Sequence, residues 1–192
     1  MADEEFSEVK LSSAQFRTLA HPLRIRLLGT LRIDGPATAT ALAGKLDTNT
    51  GATSYHLRKL AEVGLVEETG EGRGRERWWR ALHTSSTWRD SDVGTDPDDR
   101  AAAEWIANHA LRYQVDHAER WLAVRHEWSQ EWRDAASWSD FQLFLTPQRL
   151  RALNDELNAV IRRYFVEGPS TEDSAEKVLF YMNDFPLPKD TP

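Results

Sequence analysis

The feature that most constrains this chain is the order of short elements within residues 11–82. A helix is followed by a polar turn, by a second helix-forming run over 50–64, and by a glycine-rich hairpin. In this arrangement the second helix can enter the major groove of DNA while the hairpin contacts the backbone. The order therefore predicts a winged helix-turn-helix domain over 11–83.

Local signals set the helix boundaries in this region. Proline suits the first helical position, serine, threonine, aspartate and asparagine suit the N-cap, and glycine suits the residue after the last turn. A short apolar face of Phe16, Leu19 and Ala20 comes first. The predicted helices are 22–33 (started by Pro22, ended by Asp34-Gly35-Pro36), a helix through Lys45 (capped by Thr38), and 50–63 (capped by Asn49, ended by Gly64).

The predicted wing consists of strands over 65–69 and 75–82 around three glycines in five residues. Glycine supplies the positive φ angles that a hairpin tip needs. Arg73, Arg75 and Arg77 are expected to meet a narrow minor groove or a row of phosphates. The alternative is that each is an ordinary solvated side chain.

The 50–63 helix has two different faces. Its apolar face is expected to pack on the preceding helices and consists of Thr53, Leu57, Leu60 and Ala61. The opposite face is the predicted DNA-binding surface: Thr50, Gly51, Ser54, Tyr55, Arg58 and Lys59. Small and hydroxyl-bearing residues suit base edges, and the two cations suit phosphate. Taken alone, this face is also what any solvated amphipathic helix shows. His56, between the two faces, is interpreted as structural.

Charge is unevenly distributed along the chain. The net charge is −7, yet residues 10–83 hold 12 Lys and Arg against 7 Asp and Glu, a local charge of +5. Affinity for DNA follows the local field, so a basic module joined to an acidic one is compatible with DNA binding.

The rest of the chain predicts a mainly α fold with small β elements. An acidic tail (1–10) precedes the winged domain, and a linker (84–97) follows it. A long dimerisation helix is predicted over 98–136, as one helix or two with a bend, with an apolar seam of Leu111, Val115, Ala118 and Leu122. The region 137–192 is predicted to be α+β, with a helix from Pro147 to Glu167 and a short two-stranded sheet of 138–145 and 177–185.

Composition and motifs disfavour other classes. The chain has no cysteine, no phosphate-binding loop, no nucleophile elbow and no metal-ligand cluster, so it predicts neither an enzyme nor a metal or cofactor site. It has no signal peptide or apolar run long enough to span a membrane, so a cytoplasmic protein is expected. Five tryptophans within 105–138 could line a pocket for a small-molecule effector, but core and interface are favoured.

Two blocks resemble a known family. Residues 20–28 (Ala-His-Pro-Leu-Arg-Ile-Arg-Leu-Leu) and 53–60 (Thr-Ser-Tyr-His-Leu-Arg-Lys-Leu), followed by Gly64-Leu65-Val66 and the arginine-rich wing, resemble the ArsR-type winged helix-turn-helix regulators of bacteria. The resemblance covers about 11–83. It implies a homodimer that binds a palindromic operator and usually represses, with base contacts from Thr50, Gly51, Ser54 and Tyr55.

The chain departs from this family in two respects. Many members sense metals through cysteines, or through acidic and histidine residues on a C-terminal helix. Here cysteine is absent, and His109, His117 and His126 lack the Asp-x-His and His-x-x-Glu spacings. Residues 84–192 also extend past the compact sensors and resemble the longer regulators.

The sequence thus favours a sequence-specific regulator with double-stranded DNA and a second copy of itself as partners. The alternative is a winged-helix module that binds proteins in a larger assembly without reading DNA sequence.

Overall fold

A computed structural model describes residues 7–72, 76–166 and 175–187. The chain divides into two compact units, with the boundary between Arg112 and Tyr113. Within the described residues, no helix is both long enough and apolar enough to cross a bilayer.

Four helices and their caps form the centre of the first unit. They are α1 (Ser13–Leu19), α2 (Pro22–Asp34), α3 (Ala39–Lys45) and α4 (Thr50–Glu62). The predicted caps are confirmed: the side chains of Thr38 and Asn49 accept hydrogen bonds from the backbone N–H three residues on. Gly64, with φ +70°, follows α4 as predicted. The predicted bounds of α2 and α4 are met to within one residue.

Five short strands complete the unit: β1 (Glu8–Lys10), β2 (Ala37–Thr38), β3 (Val66–Glu68), β4 (Trp78–Ala81) and β5 (Ser85–Thr87). β3 and β4 are the predicted wing strands and pair antiparallel, although both are shorter than expected. β2 joins them as a third strand, which gives the order β2-β4-β3. β1 pairs parallel with β5 in a separate two-stranded sheet. Sequence reasoning anticipated neither β1, β2 nor β5.

The core of the first unit is closed and apolar. It is built mainly from leucines of α2, α3 and α4, with Phe16 of α1 fully buried among them. Phe16 meets Trp88 edge to face, with ring centroids 6.1 Å apart. Ala102, Ala103 and Ile106 belong to the same core, so the first turns of the next helix complete this unit.

Arg32 of α2 ties the strand region to the helices. Its Nε donates to the carbonyl oxygen of His83 and its Nη2 to Ser86 Oγ, both at 2.8 Å. Burial lowers the pKa of this guanidinium to about 10. The stretch 84–97, expected to be a linker, is part of the first unit. It carries β5 and a 3-10 turn (Asp90–Asp92).

Three helices follow: α5 (Pro97–Val124), α6 (Gln130–Ala135) and α7 (Pro147–Val166). α5 crosses the boundary between the units. The predicted 98–136 helix is interrupted by a 3-10 turn (Arg125–Glu127) and by extended Trp128. The second of the two predicted forms, two helices with a bend, is therefore the one found.

The predicted two-stranded sheet of the C-terminal region is wrong. Residues 137–146 and 175–187 contain no strand, and no backbone hydrogen bond joins the two segments in the part of the chain that the structure describes. Alternating apolar residues favour a strand only where a neighbouring strand and a covering layer are available. Phe144, which is fully exposed, has neither.

Candidate nucleic-acid interface

The position of α4 in the domain is fixed by its buried face. Thr53, Leu57 and Leu60 are fully buried, as predicted. Thr53 Oγ1 also donates to the carbonyl oxygen of Asn49 at 3.1 Å, so its hydroxyl is satisfied inside the domain. Burial of three positions at helical spacing fixes the rotation of α4 about its axis.

The first turn of α4 is capped and sterically open. Asn49 Oδ1 accepts from the backbone N–H of Ala52 at 2.8 Å. A methyl group on Gly51 would lie 3.3 Å from that same oxygen, so glycine leaves the cap undisturbed. A capped helix N-terminus with small exposed residues can approach a phosphate or a base edge closely.

The outward face of α4 carries the six residues expected to meet DNA. Thr50, Gly51, Tyr55 and Arg58 are exposed, and Ser54 and Lys59 are half-buried. Tyr55 is 53% exposed, which is unusual among the large apolar side chains of the first unit. The six residues therefore lie on one solvent-facing ridge, which we call the α4 ridge.

The two cations of the α4 ridge have partners on the helix itself. Arg58 Nε donates to the carbonyl oxygen of Ser54 at 3.2 Å, and Lys59 Nζ lies 2.7 Å from a carboxylate oxygen of Glu62. The hydrogen bond with Glu62 raises the pKa of Lys59. Lys59 Nζ also lies 5.9 Å from the centroid of the Tyr55 ring. Lys59 is thus held between Glu62 and Tyr55, whereas Arg58 is held at Ser54.

A pair of histidines lies behind the α4 ridge. The rings of His21 and His56 are 4.3 Å apart, and Tyr55 meets His56 edge to face at 5.1 Å. His21 Nδ1 accepts from the backbone N–H of Leu23 and so caps α2. Burial and the nearby Arg24 guanidinium lower the pKa of both histidines, which favours neutral rings.

Sequence reasoning placed His56 in a structural role but missed its contact with His21 and Arg24. His56 Nδ1 and Arg24 Nε are both buried without a hydrogen-bond partner among the described residues. A histidine directly before Pro22 was the one available signal, because that position is the N-cap of the predicted helix.

The wing carries fewer free cations than the sequence suggests. Arg77 Nη1 lies 2.7 Å from Glu68 Oε1, and Arg80 Nη2 lies 2.6 Å from Glu67 Oε1. These cross-strand pairs neutralise part of the positive charge of the hairpin. Arg73 and Arg75 lie outside the described residues.

The predicted seam on α5 is largely solvent-facing. Leu111, Val115 and Leu122 are exposed, and Ala118 is half-buried. Trp121, Trp128 and Trp132 form a chain of ring contacts with centroids 5.8 and 6.1 Å apart. In the part of the chain that the structure describes, no group of three or more histidine or acidic residues is placed to hold a metal ion.

Comparisons with known proteins agree with the fold of the first unit. Residues 19–69 match the family model described as "Helix-turn-helix domain". The match agrees with the helix-turn-helix that the sequence predicts over this part of the chain.

Several solved structures are similar to parts of the chain. The antimony-specific transcriptional repressor AntR is 22% identical over 53% of this chain and 77% of its own, with a TM-score of 0.35. The homodimeric winged helix-turn-helix DNA-binding domain Mb0332 from Mycobacterium bovis is 19% identical over 53% and 79%, with a TM-score of 0.33.

A possible transcriptional regulator for arsenical resistance is 27% identical over 59% of this chain and 95% of its own, with a TM-score of 0.32. At these TM-scores the likeness adds nothing to what the fold itself shows. A comparison with curated proteins found no match.

Proposed function

We propose that this protein is a sequence-specific transcriptional repressor that binds a palindromic operator as a homodimer. α4 enters the major groove, and the β3–β4 wing contacts the adjacent backbone. The observation that carries the proposal is the α4 ridge: its residues face solvent together while Thr53, Leu57 and Leu60 on the opposite side are fully buried.

The residues of the ridge divide by chemistry. Thr50, Gly51, Ser54 and Tyr55 are small or bear hydroxyls and lie toward the N-terminal end of α4, where a helix reads base edges. Arg58 and Lys59 lie one turn later and contact phosphate, together with Arg77 and its two neighbouring arginines in the wing. Base reading therefore depends on the first four residues, and overall affinity depends on the cations.

Dimerisation follows from the exposed part of α5. Leu111, Val115 and Leu122 present apolar side chains at spacings of four and seven residues, which suits a second helix of the same kind. A two-fold axis then places two α4 ridges in successive major grooves, about one helical turn or a multiple of it apart. Repression follows from occupation of a promoter by this dimer.

The test combines operator selection from genomic DNA with binding titrations over a range of salt. Arg58→Ala with Lys59→Ala is expected to weaken binding to all sequences and to lower the salt slope by about two. Ser54→Ala and Tyr55→Phe are expected to change the selected site, each with a penalty of about 1–3 kcal/mol at one base position. Arg100→Ala removes an exposed cation elsewhere and is the matched control.

Two outcomes would overturn the proposal. The first is a selection that recovers no common sequence while a stable protein partner is found, as a protein-interaction module would show. The second is that the Ser54 and Tyr55 variants select the wild-type site with unchanged discrimination, which would remove α4 from base recognition.

A further inference from the structure

The junction of α2 and α4 holds positive charge without a matching acid. His21 and Arg24 lie at the start of α2, and His56 lies on α4; we call these three side chains the α2–α4 cluster. The rings of His21 and His56 are 4.3 Å apart. Burial lowers the pKa of both histidines, and the Arg24 guanidinium adds to that effect on each, so the three side chains form one group.

Arg24 is a cation without a partner among the described residues. It makes neither a hydrogen bond nor an ion pair with any of them, and its Nε is buried from solvent. Burial lowers the pKa of this guanidinium, yet arginine stays protonated at neutral pH. A desolvated cation without a partner costs free energy, which the binding of an anion offsets.

His56 is in the same condition. Among the described residues, four side-chain nitrogen or oxygen atoms are buried without a hydrogen-bond partner, and two of them are Arg24 Nε and His56 Nδ1. Buried polar atoms are rarely left unsatisfied, so two in one cluster indicate a partner from outside the chain. A water molecule satisfies a histidine nitrogen but does not neutralise a guanidinium. The cluster therefore lacks a negative charge.

The acids of the surrounding helices are already engaged. The four helices α1 to α4 contain two acidic residues, Asp34 and Glu62, each at the C-terminal end of its helix. Asp34 pairs with Lys45, and Glu62 pairs with Lys59. The first turns of α2 and α4 contain no acid. The charge that would balance Arg24 is thus not supplied by these helices.

The α2–α4 cluster adjoins the α4 ridge. Tyr55 of the ridge meets the His56 ring edge to face at 5.1 Å, and Lys59 Nζ lies 5.9 Å from the centroid of the Tyr55 ring. The hydrogen bond with Glu62 raises the pKa of Lys59, and the charge of Arg24 opposes that shift. Arg24 therefore lies within electrostatic range of the ridge. Its side chain is half-buried, so part of it is accessible to a ligand.

Phosphate is the anion that suits this group of side chains. A guanidinium binds phosphate through paired N–H donors, and Lys59 supplies a second cation nearby. When a recognition helix enters the major groove, backbone phosphates lie on either side of it. A cation beside the α4 ridge is placed to meet one of them. Free inorganic phosphate offers the same chemistry without the rest of the duplex.

We propose that the α2–α4 cluster, centred on Arg24, binds a backbone phosphate of the operator beside the α4 ridge. This assignment rests on the proposed function and adds α2 to an interface otherwise formed by α4 and the wing. The anion that the folded chain lacks is then supplied by the DNA itself.

Phosphate binding is linked to a proton on His56. The charged and titratable groups around this ring are His21 and Arg24 from α2 and Tyr55 from its own helix. In the free protein, burial and these cations lower its pKa, whereas a phosphate beside it raises the pKa again. His56 therefore takes up a proton as DNA binds. His21 does not, because its Nδ1 already accepts from the backbone N–H of Leu23.

The first experiment titrates Arg24→Met with DNA at several salt concentrations. Affinity is expected to fall about tenfold or more for every sequence, and the salt slope is expected to fall by about one. Arg24→Lys keeps the charge and is expected to keep the salt slope. Arg100→Met removes an exposed cation of α5 and is expected to leave DNA affinity unchanged.

Urea unfolding of Arg24→Met distinguishes a phosphate site from simple packing. The free energy of unfolding is not expected to fall, because an apolar side chain replaces an unpaired and partly buried cation. A loss of stability together with unchanged DNA affinity would make Arg24 a packing residue and overturn the proposal.

The pH dependence of DNA affinity is the second readout. Wild-type affinity for a fixed duplex is expected to rise as pH is lowered from 8 to 6, and His56→Gln is expected to flatten this rise. His109→Gln removes a histidine of α5 that stacks on Trp105, and it is expected to keep the wild-type profile. Equal profiles for the wild type and His56→Gln would overturn the proposal.

Inorganic phosphate at constant ionic strength distinguishes the two sources of the anion. At millimolar concentration it is expected to leave the ring NMR signals of His56 unchanged, whereas a duplex shifts them, because free phosphate lacks the other contacts of the interface. A saturable shift with inorganic phosphate that also displaces the duplex would overturn the backbone as the source.

Operator selection separates this proposal from the proposed function. A selected operator that Arg24→Met binds as tightly as the wild type would remove the phosphate site alone. Binding that shows no sequence preference, but that Arg24→Met weakens, would remove the regulator and leave the phosphate site.

Discussion

The two units of this chain differ in how far their large apolar side chains are buried. Up to residue 110, the large apolar side chains of the described part are buried or half-buried except for Tyr55 and Trp78, which lie on α4 and the wing. In the C-terminal unit, exposed aromatic residues lie on α7 and in the segments 137–146 and 175–187, which have no regular secondary structure. The first unit buries its apolar residues in its own core, whereas the C-terminal unit leaves many of its apolar residues exposed to solvent.

The sharpest test of this contrast is truncation of one leucine in each unit. Leu57→Ala in α4 is expected to cost about 2–5 kcal/mol, because Leu57 is fully buried and its loss leaves a cavity. Leu157→Ala in α7 is expected to cost under about 1 kcal/mol, since that side chain is already 41% exposed. Urea unfolding at low protein concentration measures both, and equal losses would refute the contrast.

A smaller effect is expected from the helix caps. Asn49→Ala should lower the free energy of unfolding by about 1 kcal/mol, because the side chain satisfies an N–H at the start of α4. Ser129→Ala removes the cap of α6, a six-residue helix without a buried side chain. It should leave the main unfolding transition unchanged; a matching loss would place α6 in the same cooperative core.

Acid is expected to weaken the first unit in particular. Burial lowers the pKa of His21, His56, His83 and His109, all within that unit. The unfolded chain then binds protons more readily, so this stability is fully present above about pH 6.5 and is lost as pH falls through the lower folded values.

Thermal melts of the first-unit transition between pH 7.5 and 5 measure this loss. His56→Gln should make the pH dependence shallower, because it removes one imidazole that must charge in acid. A slope identical to that of the wild type would show that His56 takes no part in the linkage.

The smallest effect concerns the wing. Glu68→Gln should raise DNA affinity a few-fold and steepen its salt dependence, because it releases Arg77 from an exposed ion pair of modest strength. Asp116→Asn breaks the equally exposed pair with Arg120 on α5 and should leave DNA affinity unchanged. Titrations of a fixed operator duplex at several salt concentrations compare the two variants.

How far the sequence predicts the structure depends on whether the signal is local. Pro22, Thr38, Asn49 and Gly64 mark helix ends by their own chemistry, so the helices of the first unit were predictable. The buried face of α4 followed from spacing alone. The DNA contacts of the α4 ridge stay predictions.

The remaining features depend on residues far apart in the chain. β1 and β5 are three residues each and pair across more than seventy positions, with no pattern in either segment to indicate it. The contact between His21 and His56 likewise arises only when α2 packs on α4. The two predicted C-terminal strands are absent for a related reason. Apolar residues favoured a strand in each segment, but the described part of the chain supplies no neighbouring strand with which either could pair.

The pairing of β1 with β5, together with Ile106 in the first core, has a consequence for chimeric regulators. A graft cut at the obvious ends of the helix-turn-helix motif would discard an outer strand, its neighbour and part of the hydrophobic interior. Transplanting this winged helix-turn-helix domain onto another protein requires all residues from about Ser7 through the third turn of α5. Exchange of such domains between proteins in evolution would require the same segment ends.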